Sequence, residues 1–296
     1  MNAVNEKAYA KINLFLDVTA KRDDGYHDIK SVMHAVTLAD ELTVSKSESS
    51  KLKIRLLFNG DNTDGLPHNN TNLAVKAAES FYSHLKSTAD VTIRLVKKIP
   101  VAAGLGGGSS DAAAVLRALN KLHKRPFTDK YIAQIGAEIG SDVPFCVFGK
   151  TALCEGRGEK VTPLYASKCL NIVIANSGER VSTPEAYSAL DAKYKDFREK
   201  DESFTSAAYA GILSGLKGEA PMSACLFNIF EESVLGNCPL ASLIKQRLLV
   251  LGAECAMMSG SGPSIFALFN SFSMAESAVR VLKADGVRAF AVRSAE

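Results

Sequence analysis

Apolar and polar positions follow one rhythm in the first half of the chain and another in the second. From Ala8 to Thr19 the chain is apolar with an alternating tendency, and Lys21, Arg22, Asp23, Asp24 and Gly25 then make a polar turn. Short strands are predicted at Glu41–Ser45 and Leu52–Leu57. Val91–Val96 alternates cleanly and predicts a strand with one buried face. After Lys97, Lys98, Ile99 and Pro100 comes a glycine-dense loop and then a helix, whose Ala112, Val115, Leu116, Leu119 and Leu122 recur at three- and four-residue steps. A second helix is predicted from about Asp129 to Ile139, stopped by Gly140.

In the second half, Leu170–Ala175 predicts a short strand. Thr183, Pro184 and Glu185 then carry a helix start, with a cap, an early proline and an early acid. Residues 191–202 hold nine charges and read as a solvated helix face and connection. Helices are predicted near 205–216, 223–234 and 240–250. The end reads strand (Glu254–Met258), glycine turn, strand (Ser264–Phe269), helix (274–284) and strand (Val287–Val292), the pattern of a split β-α-β domain. With no internal repeat, the expected architecture is α+β in two domains, residues 1–165 and 166–296.

Composition narrows the function classes. The 296 residues are 47% hydrophobic and 23% charged, which excludes a disordered chain, a collagen or a coiled coil. A formal net charge of +3 is too small to suggest a nucleic-acid binder. No apolar run approaches the roughly 20 residues needed to cross a bilayer. Lys7 and Lys11 interrupt the apolar start, so it does not read as a signal peptide. Six cysteines without a C-x-x-C spacing predict reduced thiols in a cytoplasmic protein. The five histidines lack metal-ligand spacing, so a zinc site is not expected. These readings point to a cytoplasmic enzyme.

The most informative segment is Pro100, Val101, Ala102, Ala103, Gly104, Leu105, Gly106, Gly107, Gly108, Ser109 and Ser110. Four glycines in five positions remove side chains where a backbone must bend and approach something closely. The loop leads into a helix whose first N–H groups lack internal partners and carry the positive end of the dipole. That combination suits nucleotide phosphates, and Ser109 and Ser110 can cap the helix or contact phosphate. Two common glycine motifs do not fit. A Walker loop needs Lys–Ser/Thr after its last glycine. The dinucleotide fingerprint needs a third glycine where Ser109 stands and an acid about 20 positions on, where this chain is basic.

Two further constellations are Gly140–Ser–Asp142–Val–Pro144, an acid just after a helix, and Ser259–Gly–Ser–Gly–Pro263, a backbone-rich loop between two strands. Taken alone, Asp142 is more often a turn or cap residue, and Ser259–Pro263 more often a plain hairpin.

With these residues in view, the loop resembles the phosphate loop of the galactokinase, homoserine kinase, mevalonate kinase and phosphomevalonate kinase (GHMP) superfamily. Ser259–Pro263 resembles that superfamily's C-terminal motif. Ala10–Lys–Ile–Asn–Leu–Phe15, Asp24–Gly–Tyr–His27 and Glu155–Gly–Arg–Gly–Glu159 narrow the resemblance. They are similar to the branch that phosphorylates 4-diphosphocytidyl-2-C-methyl-D-erythritol in the non-mevalonate isoprenoid pathway. The likeness runs from near residue 7 to near 290.

The resemblance implies an N-terminal domain like domain 2 of ribosomal protein S5 and a ferredoxin-like C-terminal domain. It implies ATP as phosphoryl donor, Mg²⁺ as the ATP complex, and a cytidine diphosphate-linked small molecule as acceptor. Lys11 and Asp142 map onto the catalytic pair, with Asp142 as base and Lys11 as its orienting, charge-stabilising partner. Such chemistry needs a base near the attacking hydroxyl and cations near the oxygens that gather charge. Asn13, Tyr26, His27 and Tyr187 map onto the acceptor site: His27 to read the cytosine edge, Tyr26 and Tyr187 to stack on its ring. A second reading keeps the superfamily with another small alcohol, and a third makes the chain a nucleotide-binding homologue without the pathway role. The Tyr26–His27 pair argues against the second, and the intact Lys11 and Asp142 against the third. Neither nucleic acid nor membrane is expected as a partner, and the sequence leaves the oligomeric state open.

Overall fold

The computed structural model describes residues 3–59, 63, 65–197, 202–222 and 224–295. The apolar N-terminal segment forms a long strand, β1 (Ala3–Lys21), followed by β2 (His27–Ser47). The polar turn between them closes with Arg22 N donating to Tyr26 O at 2.8 Å. The chain then forms two compact units, each assembled from separated segments.

The first unit comprises Met1–Ala10, Leu38–Val101 and Gly106–Gly149. In it β3 (Lys53–Asn59) pairs in parallel with β4 (Asp90–Val96), and β4 pairs antiparallel with the end of β2, placing Glu41 opposite Val96. The parallel pair requires a crossover, supplied by α1 (Leu73–Leu85). Asn72 starts that helix by accepting a hydrogen bond from Ala74 N, and Phe81 and Tyr82 anchor its buried face. Three helices follow: α2 (Gly107–Leu122), α3 (Asp129–Ile139) and α4 (Val143–Phe148). Ala112, Val115, Leu116, Leu119 and Leu122 are all buried along α2, as their spacing predicts. Each such valine or leucine contributes roughly 1.5–3 kcal/mol.

The second unit comprises Lys11–Thr37, Ala102–Leu105 and Lys150–Glu296. Here β5 (Thr151–Gly156) pairs with the first half of β2 and with β6 (Lys160–Pro163). Next come β7 (Asn171–Asn176), α5 (Thr183–Lys193) and α6 (Glu202–Lys217). Ser182 and Glu185 form a reciprocal capping box at the start of α5, with Pro184 in its first turn. The strand β8 (Phe227–Asn228) precedes α7 (Glu231–Val234) and α8 (Pro239–Val250). The chain ends with β9 (Cys255–Met258), β10 (Ile265–Phe269), α9 (Phe272–Ala284) and β11 (Arg288–Arg293). A four-stranded antiparallel sheet runs in the order β11-β7-β10-β9. Taken in chain order, its strands stand fourth, first, third, second, with helices inside each half. That is the split β-α-β arrangement expected from the sequence. The core of this unit gathers Leu16, Val18 and Ile29 with Val173, Ile265, Ala267 and Leu282.

Two local expectations change. The segment 223–234, expected as one helix, is helical only at Glu231–Val234; residue 223 lies outside the described residues. Phe227 and Asn228 instead pair in parallel with Phe15 and Leu16 of β1. The Asn228 side chain accepts from Phe230 N and donates to Met258 O and Gly260 O, an extended-chain solution that competes with helix. Ser109 and Ser110 do not cap α2, because Gly106 occupies the cap position in the left-handed conformation. The highly charged connection at 191–202 is helical as far as Lys193, and its residues 198–201 lie outside the described residues.

Candidate active site

The glycine-dense segment passes through both units. In the first, α2 begins after Gly106 (φ 68°), with no side-chain cap and no acid in its first turn among the described residues. Its first N–H groups thus have neither an intrahelical acceptor nor a capping side chain from Gly106. Ser110 is buried and donates its hydroxyl hydrogen to Tyr9 O at 2.7 Å; Ser109 is half-buried. Pro100, Val101 and Gly106–Ser110 belong to this unit, as does Asp142. The half-buried Asp142 stands directly before α4, which its side chain does not cap.

A buried ionic cluster that the sequence reading missed supports the start of α2 in this unit. Lys97 Nζ donates to Asp40 Oδ2 (2.5 Å) and Asp111 Oδ2 (2.7 Å). Asp40 Oδ1 also accepts from Lys98 N (2.5 Å) and Ile99 N (2.8 Å), whereas Asp111 Oδ1 has no partner among the described residues. Burial pushes the Asp111 carboxyl up to about 8, with Lys97 opposing and Asp40 adding. Burial works against the Lys97 ammonium too, but Asp111 and Asp40 outweigh it and push Lys97 up. A Cβ at Gly107 would lie 3.1 Å from the Ile99 side chain and 3.5 Å from Lys97 Nζ, so the loop backbone runs close over this cluster.

In the second unit, Lys11 and the two glycine motifs meet. Gly104 (φ 74°) lies so close to Ser259 that a Cβ there would stand 2.0 Å from Ser259 O. Ser259 Oγ donates to Gly104 O at 3.0 Å. Lys11 N donates to Leu105 O at 3.0 Å, fixing β1 to the loop. A Cβ at Gly260 (φ 57°) would lie 3.1 Å from Lys11 Nζ and 3.0 Å from Gly104 O. Ser259–Pro263 is thus more than a hairpin between β9 and β10: its glycine makes room for the ammonium. Asn228, from β8, holds the motif through the carbonyls of Met258 and Gly260, both at 2.8 Å. Lys11 is buried, and its Nζ donates to Asn13 Oδ1 at 2.7 Å.

The same unit holds Tyr26, His27 and Tyr187, and all three have local partners. His27 is buried, with its ring stacked on Tyr187 (centroids 4.6 Å, 24°) and Phe197 edge-on at 5.6 Å. His27 Nε2 lies 2.7 Å from Asp191 Oδ1, and Lys21 Nζ reaches Asp191 Oδ2 at 2.7 Å. Burial raises the Asp191 carboxyl, but the hydrogen bonds from Lys21 and His27 outweigh it and hold it below its ordinary value. An ionised Asp191 only accepts, so Nε2 of His27 carries the hydrogen. Tyr187 meets Phe230 edge-on at 4.8 Å, so the structure pairs Tyr187 with His27. Tyr26 is 54% exposed, with the Arg157 guanidinium 4.9 Å from its ring centre. Asp191 and Arg157 escaped the sequence reading as site residues; Arg157 lay inside a quoted motif, whereas Asp191 sits in a charge-rich run that masks it.

Among the described residues, no group of three or more His, Cys, Asp and Glu side chains could hold a metal ion, and the six cysteines form no disulfide. No described helix is long and apolar enough to cross a membrane.

A glycine-capped helix start, together with a lysine enclosed by a second glycine motif, is the equipment of a phosphoryl-transfer enzyme. Family models agree: residues 72–150 match the GHMP kinases N terminal domain, and residues 216–288 the GHMP kinases C terminal domain. A 4-diphosphocytidyl-2-C-methyl-D-erythritol kinase of Macrococcus caseolyticus is 39% identical over 280 residues, 95% of each chain. A crystal structure of 4-(cytidine 5'-diphospho)-2C-methyl-D-erythritol kinase superposes with a TM-score of 0.80 at 31% identity, covering 99% of this chain and 100% of the other. The chain belongs to the 4-diphosphocytidyl-2-C-methyl-D-erythritol kinase family. A homoserine kinase from Cytophaga hutchinsonii shares the fold (TM-score 0.77, 20% identity, 100% and 95% covered), so the fold alone does not choose the alcohol.

Proposed function

We propose that the protein transfers the γ-phosphoryl group of ATP to the 2-hydroxyl of 4-diphosphocytidyl-2-C-methyl-D-erythritol, giving ADP and the 2-phosphate. The observation that carries this reading is the meeting of Lys11 with Gly104 and the Ser259–Pro263 motif, in a chain similar to these kinases along almost its whole length. The acceptor hydroxyl must lose a proton as its oxygen attacks phosphorus, and negative charge spreads over the transferring oxygens. Asp142 takes that proton, and Lys11 stabilises the developing charge. The segment Pro100–Ser110 receives the phosphates through backbone N–H groups at the start of α2. Mg²⁺ arrives with ATP and neutralises phosphate charge.

His27 and Tyr26 address the cytosine, Tyr187 supports His27 from behind, and Asn13 serves the acceptor end beside Lys11. The division of the chain at residue 165 into N- and C-terminal kinase domains belongs to the same reading, and the two family matches fall on either side of it. So does a cytoplasmic location. The test is ATP consumption by the purified protein with the cytidyl compound, beside mevalonate, phosphomevalonate and homoserine. Turnover is expected with the cytidyl compound alone and is expected to fall by orders of magnitude in Asp142→Asn with ATP affinity retained. Turnover retained in that variant would remove Asp142 from its role, and no turnover with the cytidyl compound would remove the reading.

A further inference from the structure

Lys11 donates into a buried hydrogen-bond relay whose polarity admits only one arrangement. Its ammonium can only donate, so the atom of Asn13 facing it at 2.7 Å is the carbonyl oxygen Oδ1. The amide nitrogen of Asn13 therefore faces the other way, and donates to Ser31 Oγ at 2.8 Å. Ser31, accepting there, uses its one hydrogen on Phe15 O, again at 2.8 Å. Lys11, Asn13 and Phe15 share one face of β1 at two-residue spacing, and Ser31 comes from β2. Lys11 is 4% exposed, Asn13 1% and Ser31 0%, so water cannot substitute for a missing member.

We propose that Ser31 is a positioning residue for Lys11, acting through the orientation of the Asn13 amide. The proposal rests on the reading of Lys11 given above. Without the Ser31 hydroxyl the buried Asn13 Nδ2 loses its acceptor, and the amide must shift to find another. Any such shift carries Oδ1 away from Nζ, and turning the amide over would set Nδ2 against the ammonium, donor against donor. Gly260 adds the steric half of the device: a Cβ at that position would lie 3.1 Å from Nζ, so the absence of a side chain there leaves the ammonium its place.

The test is Ser31→Ala, assayed for kcat and for both KM values. The expected result is a kcat lower by about 10–100-fold, the scale on which a misplaced group costs rate, with KM for ATP and for the cytidyl acceptor within about twofold. A kcat within about twofold of the parent, or a loss confined to KM, would overturn the proposal. Should the alanine variant fail to fold, Ser31→Cys keeps the shape but hydrogen-bonds weakly, and the same kcat loss is expected of it; parental kcat there overturns the proposal equally. A crystal structure of the variant separates this from the function itself, since it needs no turnover. Lys11 Nζ is expected beyond hydrogen-bond reach of Asn13 Oδ1, and an unmoved Nζ sinks the idea even if the protein proves to phosphorylate something else.

Discussion

Gly104 and Ser259 stand closer than any side chain at position 104 would allow, because a Cβ there would lie 2.0 Å from the Ser259 carbonyl oxygen. Gly104→Ala must therefore displace the second glycine motif as well as adopt a positive φ. A loss of stability of about 3 kcal/mol is expected in urea unfolding, with activity falling more than about 100-fold. Gly25→Ala is the control. It has a positive φ of 83° but nothing within 4 Å, so only the backbone cost of about 1–2 kcal/mol remains. Equal costs for the two variants would show that the close approach is unimportant.

Asp191 holds the His27 ring through Nε2, 2.7 Å from Oδ1. Asp191→Asn replaces an ionised acceptor with a neutral amide and gives up roughly 1.5 kcal/mol of charge-assisted hydrogen bonding. The acceptor's KM is expected to rise about tenfold, with kcat and the KM for ATP unchanged. Lys21→Ala, which removes an exposed partner of the same carboxylate, should change KM by less than about twofold. Steady-state kinetics on the two variants decides it, and equal effects would deny Asp191 a role through His27.

The two aspartates around Lys97 are not equivalent. Asp40 accepts three hydrogen bonds, two of them from backbone N–H groups; Asp111 accepts one and leaves Oδ1 without a partner among the described residues. Asp40→Asn is expected to cost about 3 kcal/mol, as for a broken buried pair, and Asp111→Asn less than about 1 kcal/mol. The raised pKa of Asp111 means that its folded-state carboxyl holds a proton which the unfolded chain has released at neutral pH. The difference between Asp111→Asn and the parent should therefore move in favour of the variant as pH rises from 5 to 8, which paired denaturant curves would measure.

His34 makes stability depend on pH in the opposite sense. It is buried between Thr151 Oγ1 and Ser294 Oγ, both at 2.8 Å, and burial pushes its pKa down to about 4. Between about pH 6.5 and 4 the unfolded chain binds a proton that the folded chain refuses. The stabilisation is thus complete above pH 6.5 and is lost as pH falls towards 4, by about 3 kcal/mol in all. His34→Gln should flatten that part of the stability profile, and an unchanged slope would show that other groups set it.

The alternating and helical patterns made most elements legible, because each is declared by neighbours in the chain. Val91–Val96, the α2 face and the final strand-helix-strand unit are of this kind. The first half of β2 escaped because it is buried on both faces and so does not alternate. The apolar run around Phe227 looks helical in isolation, and only Asn228 bonding to Met258 and Gly260 shows why it is extended. The glycine motifs were visible as motifs, but their meeting at Lys11 was not. Asp191, 164 residues from His27, and Asp40, 57 from Lys97, lie beyond any local pattern.

The pairing of β1 with β8 sets an order of assembly. Lys11 is among the first residues made, yet Phe15 and Leu16 wait for Phe227 and Asn228, and the lysine's surroundings wait for Gly260. At elongation rates of about 5–20 residues per second, β1 spends roughly 10–40 s on the ribosome before β8 emerges. A nascent chain released early carries the glycine-dense loop and Lys11 without Gly260, beside which the ammonium sits. A product that ends before Phe227 leaves Phe15 and Leu16 of β1 without their β8 partner, an unpaired strand edge open to association.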